Sequence, residues 1–245
     1  MRGPAALVLL TALWAPAAAF GQSDTGRFRV SINGGGQVSS NTVSQSFSVQ
    51  KNLEPAPITV DMSAKRAPIF DAGIVVRIAG PLAVGFAVSY LTHDSAASIT
   101  ADIPHPFFFN RPRSISGSTP VSRTEGAGHI EAVYELSGGG RLDVLLSGGP
   151  SIFNVRQTLV TDVTYSDAFP FDTATFRAGV TADATKTVAG FNVGGDVTWR
   201  FSRTIGIGGL IRYAQAHATV SVANNSAVKI DVGGLQVGGG LRLLF

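Results

Sequence analysis

The carboxy-terminal stretch Val228-Lys-Ile-Asp-Val-Gly-Gly-Leu-Gln-Val-Gly-Gly-Gly-Leu-Arg-Leu-Leu-Phe245 alternates with a period of two. Leu235, Val237, Gly239, Leu241, Leu243 and Phe245 are apolar or small. Gly234, Gln236, Gly238, Gly240, Arg242 and Leu244, the set between them, are mostly polar or small. Successive side chains of a strand point to opposite faces, so the two sets occupy the two faces of one β-strand.

Composition says what kind of sheet this strand belongs to. Charged residues are 14% of the 245-residue chain and glycine fills 29 positions, whereas ordinary soluble domains are about 25% charged. Beyond the amino terminus no run of 18 apolar residues occurs, so a membrane-spanning helix is not available. Apolar surface distributed by strand alternation remains. At the amino terminus Arg2, the apolar run Ala5 to Trp14 and the small residues from Ala15 to Gly21 read as a secretory signal. Residues 1–21 are therefore expected to be removed near Ala19 or Gly21, leaving 22–245 as one domain. The chain has no cysteine, which excludes disulfides, thiolate chemistry and a lipidated amino-terminal cysteine. With 19 basic and 16 acidic residues and no basic run, no nucleic-acid partner is expected.

Eight alternating segments follow the signal, joined by connections that are short and long in turn. The first starts near Arg27 with Phe28, Val30 and Ile32. The second carries Phe70 to Ile78, the third Leu82 to Tyr90, and the fourth Ile130 to Leu136. The fifth starts at Leu142 and extends to about Val160. The sixth carries Phe191 to Phe201, the seventh Ile205 to Tyr213, and the eighth ends the chain. Tight turns are expected at Gly80-Pro81, at Ser137 to Gly140 and near Ser202-Arg203. Longer connections are expected at Lys51 to Ala67, Asp102 to Thr119, Thr161 to Ala178 and around Asn224-Asn225. Phe28, Tyr134, Trp199, Phe201 and Phe245 fall near the tight-turn end of the apolar face, and Phe70, Tyr90, Phe191 and Tyr213 toward the other end. Phe191 and Trp199 are about 20 Å apart along the normal for a strand tilted near 40°, close to the ~25 Å apolar band of an outer-membrane barrel.

The opposite parity collects the charges. Arg29, Arg77, Arg200, Arg212 and Arg242 share it with Asp71, Glu131, Glu135, Asp143 and Asp196. Eight strands enclose a space just wide enough for side chains to fill, so matched charges imply a lumen closed by salt bridges. Arg242, Arg200 and Arg77 are expected to pair with Glu135 and Asp143 near the tight turns. Higher up, Leu91, Phe153, Val155 and Val232 share the inward parity, as hydrophobic packing beneath the loops or a small apolar pocket.

The segment Asp102-Ile-Pro-His-Pro-Phe-Phe-Phe-Asn-Arg-Pro-Arg113 has a distinct chemistry. Phe107, Phe108 and Phe109, framed by prolines and followed by Arg111 and Arg113, either fold over the barrel mouth or contact lipopolysaccharide or a partner. Proline stiffens the segment and lowers its ordering cost on binding. His93 and His217 each stand two residues from a hydroxyl, but no carboxylate can be assigned to them from the sequence. No metal-ligand spacing, phosphate loop or nucleotide fingerprint occurs. No catalytic residue, metal or cofactor is expected.

The terminal Gly240, Leu243 and Phe245 resemble the assembly signal of bacterial outer-membrane barrels. With the three tight turns, four longer connections and charged lumen, the mature chain resembles the small eight-stranded family of the OmpA transmembrane-domain, OmpX and opacity-protein type. The resemblance implies an antiparallel transmembrane β-barrel in the outer membrane, with short periplasmic turns and longer extracellular loops. It also implies a monomer surrounded by lipopolysaccharide and delivered by periplasmic chaperones and the barrel-assembly machinery. The implied role is structural or adhesion-like. The alternatives are a narrow OmpW-like channel for small hydrophobic molecules and a lipid-modifying enzyme.

Overall fold

The computed structural model describes residues 27–38, 42–63, 66–137, 140–221 and 227–245; the expected signal, residues 1–21, lies outside them. Ten strands follow in order: β1 (Phe28–Val38), β2 (Thr42–Lys51), β3 (Glu54–Ser63), β4 (Ala67–Ala79), β5 (Leu82–Pro104), β6 (Pro112–Ser137), β7 (Leu142–Asp167), β8 (Ala174–Arg200), β9 (Ile205–Ser221) and β10 (Ala227–Leu244). Eight of them form a closed antiparallel ring: β1 pairs with β4 and β10, β5 with β4 and β6, and β7, β8 and β9 complete the circuit. The last residue closes it. Phe28 and Phe245 exchange both backbone hydrogen bonds, at 3.0 and 2.9 Å, and Val30 pairs with Leu243. A closed ring leaves no unpaired edge in hydrocarbon.

The lower half of the ring is apolar on the outside. Phe70, Phe86, Tyr90, Ile130, Trp199, Ile207 and Phe245 are all exposed on the outer face, where only lipid is a favourable neighbour. The short turns lie at one end of this belt, and the two aromatic sets lie at its two margins. The protein is thus an integral outer-membrane β-barrel, its short turns on the periplasmic side. Gly240 faces inward, and a Cβ there would collide with the carbonyl oxygen of Ile32 on β1. At this position the closing strands approach too closely for any other residue.

Three expected loops are corrected. The expected connection Lys51 to Ala67 holds the strand β3, which turns back on β2 at Asn52 and Leu53 with φ of 47° and 68°, and β3 pairs with the upper part of β5. Ala56, Ile58, Val60 and Met62 alternate inward there. Pro55 and Pro57 both lie above Ile58, the first residue that β5 pairs with, where β3 has no ladder bond to lose on that side. The stretch Asp102 to Thr119 is mostly strand: only 105–111 separate β5 from β6. Likewise β7 and β8 run on through most of Thr161 to Ala178 and leave a connection of 168–173. The barrel wall therefore continues far above the membrane.

In that upper wall the faces exchange character. Above Tyr90, β5 turns Thr92, Ala96, Ser98 and Thr100 outward and Ala97, Ile99, Ala101 and Ile103 inward. The inward residues join Phe47, Ile58, Val60, Ile115, Val121, Leu159, Val163, Ile230 and others in one apolar core that fills the extracellular body.

Candidate functional site

The lumen is a stack of polar contacts beneath that core. At the periplasmic end Arg77 Nε donates to Glu135 Oε2 at 2.9 Å. Arg29 reaches Asp143 at 3.2 Å and Glu135 at 3.7 Å. Arg200 Nε stands 3.1 Å from the same Asp143 carboxylate, an ion pair off the hydrogen-bonding direction.

One layer higher, Arg242 is wholly buried. Its Nε donates to Asp196 Oδ2 at 3.1 Å and its Nη1 to Asn33 Oδ1 at 2.6 Å. Asn33 in turn donates to Asp71 at 2.9 Å, and Arg212 donates to the other Asp71 oxygen at 2.6 Å while approaching Glu131 at 3.3 Å. Gly208 makes room for this layer, since a Cβ there would lie 2.9 Å from Arg242 Nε.

Arg242 therefore belongs with Asp196 and not with Glu135 or Asp143. The reason is geometric: Arg29 fills the position facing those two carboxylates, leaving Arg242, on the neighbouring strand, to face β8. All ten charged residues expected inside do point inward, with Arg77 and Arg200 at the more open periplasmic rim. A cavity of about 40 Å³ among them has room for water but not for a solute.

Above the ions lies a neutral layer. His129 is fully buried between the Ser89 hydroxyl at 3.1 Å and the Ser151 hydroxyl at 2.8 Å, and Asn192 donates to Ser151 at 2.9 Å. Gln236 donates to Gln37 at 2.9 Å, and Gln37 to the Gly233 carbonyl at 3.0 Å. Phe153, Val155 and Val232 close the apolar layer over them, packed into the extracellular core, while Leu91 is buried with Ala67 and Ile69. They are packing, not a ligand pocket.

The extracellular body is stitched across its top. Gln45 donates to the Val160 carbonyl at 3.2 Å and Lys51 pairs with Asp162 at 2.7 Å, so the β2–β3 hairpin is tied to β7. Arg113 is 6% exposed. It binds Asp167 at 2.8 Å, the Phe171 carbonyl at 3.0 Å and the Pro104 carbonyl at 3.1 Å. It fastens the two long hairpins together and is not a surface contact. Asn52 donates to the Pro104 carbonyl at 2.8 Å, and Glu54 accepts from the Asn110 amide at 3.0 Å. His105 Nδ1 accepts from the amides of Phe107 and Phe108 at 3.1 and 3.2 Å. On the outer face, the carboxyl of Asp183 is held below its usual range by hydrogen bonds from the Thr158 hydroxyl and Arg156.

These ties present an apolar tip. Phe107, Phe108, Phe109 and Phe169 are 70%, 54%, 68% and 85% exposed, and Leu53 is 80% exposed. Phe171 links the two loops, edge-on to Phe107 at 5.5 Å and to Phe169 at 6.1 Å. Arg111 lies over the Phe108 ring at 5.5 Å. Sequence reading had singled out Phe107 to Phe109 and Arg111 but not Leu53, Phe169 or Phe171. The Phe-Pro-Phe run at 169–171 repeats the aromatic–proline chemistry of the first loop and was the available signal. His217 also has an acid partner, Asp231, at 2.7 Å on the exposed outer face.

No known protein family matches the chain, and no curated protein matches it. Among solved structures it is similar to the outer membrane protein OprG from Pseudomonas aeruginosa, with a TM-score of 0.48 at 9% identity, covering 90% of this chain and 97% of that one. It is similar to Neisserial surface protein A, with a TM-score of 0.40 at 16% identity, covering 89% and 97%. It is also similar to the outer membrane protease OmpT from Escherichia coli, with a TM-score of 0.46 at 8% identity, covering 89% and 96%. The eight-stranded ring itself rests on the strand registers.

Proposed function

We propose that this outer-membrane barrel works at the cell surface as an adhesion-like interaction protein and not as a conduit. The supporting observation is the pairing of a sealed interior with a raised, exposed tip. Five arginines and five carboxylates fill the lumen, an apolar core caps them, and the accessible apolar surface outside the membrane belt is concentrated at Leu53, Phe107 to Phe109 and Phe169. Contiguous exposed apolar patches of this kind mark interaction sites. In this reading the barrel acts as a monomer, lipopolysaccharide surrounds its outer wall, and chaperones and the assembly machinery read the strand ending in Gly240, Leu243 and Phe245.

Two measurements test the reading. In planar bilayers the purified protein should give no stable conductance. Cells expressing it should attach to epithelial monolayers more than cells lacking it, and replacing Phe107, Phe109 and Phe169 by serine should remove the gain. Steady single-channel openings, or attachment indifferent to those three residues, would overturn it.

A further inference from the structure

We infer that the partner of the tip is a lipid surface facing the cell, into which the phenylalanines insert; this rests on the surface-interaction reading above. Height supplies the first argument. β5 pairs with β6 without a register break from Leu82 to Pro104. From Tyr90 at the upper aromatic margin to Pro104, at ~3.3 Å per residue and a ~40° tilt, the tip stands about 35 Å above the girdle. The acyl chains of the protein's own outer leaflet are out of its reach. A bilayer approached from outside is not.

Chemistry supplies the second. Leu53 and the five phenylalanines offer no side-chain donor or acceptor, whereas protein interfaces typically carry about one hydrogen bond per 100–200 Å². The rings come from two loops, with a leucine from a third, and Phe171 stands edge-on to both Phe107 and Phe169. Fluid hydrocarbon demands no complementary shape and no hydrogen bond from such a projecting cluster. The ordering cost is already met by the contacts of Arg113, His105, Asn52 and Glu54 beneath.

Charge supplies the third. The Arg111 guanidinium is held against Phe108, so insertion of that ring brings the cation to the phosphate level of the contacted leaflet. A shallow insertion, about 5–10 Å as for interfacial apolar faces, buries the rings and stops at this polar collar.

The test uses the full mature chain in nanodiscs, which shield the barrel belt, mixed with phosphatidylcholine vesicles with or without phosphatidylglycerol. Wild type should co-float with both, more strongly with the anionic vesicles. A triple variant, Phe107→Ser, Phe109→Ser and Phe169→Ser, should lose at least about tenfold in vesicle affinity while keeping the heat-modifiable gel shift of a folded barrel. Arg111→Gln should abolish only the preference for anionic vesicles. In a second measurement, the F108W variant should be quenched by brominated lipids in the added vesicles.

Absence of flotation by wild type, or flotation and quenching that ignore these substitutions, would overturn the inference. If the triple variant loses cell attachment while vesicle binding is absent in all forms, the tip instead recognises a protein or a second copy of this chain. The lipid inference then falls and the surface-interaction reading stands.

Discussion

Below Tyr90, β5 turns Val84, Phe86 and Val88 outward; above it, the same strand turns Ala97, Ile99, Ala101 and Ile103 inward. The period-two alternation never breaks between them. What reverses is the solvent that each half was built for. In the lower half hydrocarbon lies outside and the narrow interior must hold the polar groups, so ions are matched there. In the upper half water lies outside, and the hydrophobic effect drives the apolar residues inside as in a soluble sheet sandwich. One strand can serve both halves because alternation decides only which residues share a face, and the surroundings decide which face is apolar.

Substitutions can break this comparison by degrees. The largest effect is expected at Arg242, whose loss strands Asp196 and Asn33 in the sealed lumen. Arg242→Met should cost about 3–5 kcal/mol in lipid refolding titrations, and adding Asp196→Leu should restore most of it. Next, Phe86→Arg on the lipid face should cost about 2–4 kcal/mol. Ser98→Arg, on the same face of the same strand but above the girdle, should stay within about 0.5 kcal/mol. Equal costs at these two positions would erase the distinction between the halves.

Smaller changes sharpen the upper half. Ile99→Val should lower the stability of the extracellular body by about 1 kcal/mol, read as faster proteolysis there, while the outward Thr100→Val should be near neutral. The smallest effect is expected at exposed Asp183. Its folded pKa lies below the unfolded value, so its contribution is present above the ordinary carboxylate range and is lost as pH falls through the folded value. Asp183→Asn should therefore lower stability slightly near neutrality and flatten the acid-side loss in thermal melts, so that wild type and variant converge at low pH.

The lower half was legible in the sequence because its outward residues are large, apolar and regular, and because charge on the other parity is rare enough to stand out. The strand ending at Phe245 and the inward set of arginines and carboxylates followed from parity alone. Individual partners did not. Parity places Arg242 in the lumen but says nothing of stagger around the ring, so Arg29 could not be told from Arg242 as the partner of Asp143.

Parts of the upper half were read as loops for two reasons. Its outward residues are Ser, Thr and Ala, which resemble connection chemistry, and Pro55 and Pro57 masked the alternation of Ala56, Ile58, Val60 and Met62. The Ser89–His129–Ser151 contacts and the meeting of Phe107 with Phe171 depend on tertiary proximity between distant segments, which no local pattern carries.

The change of solvent along one strand can be measured residue by residue, because the chain has no cysteine. Single cysteine substitutions at Val84, Phe86, Val88, Thr92, Ala96, Ser98 and Thr100, spin-labelled in bilayers, report accessibility to oxygen against a water-soluble nickel chelate. The account predicts oxygen-dominated labels at Val84, Phe86 and Val88 and nickel-dominated labels from Thr92 to Thr100, crossing at Tyr90, with inward labels at Ala87 and Ile99 shielded from both. Oxygen-dominated labels up to Thr100, or nickel access at Ala87, would contradict it.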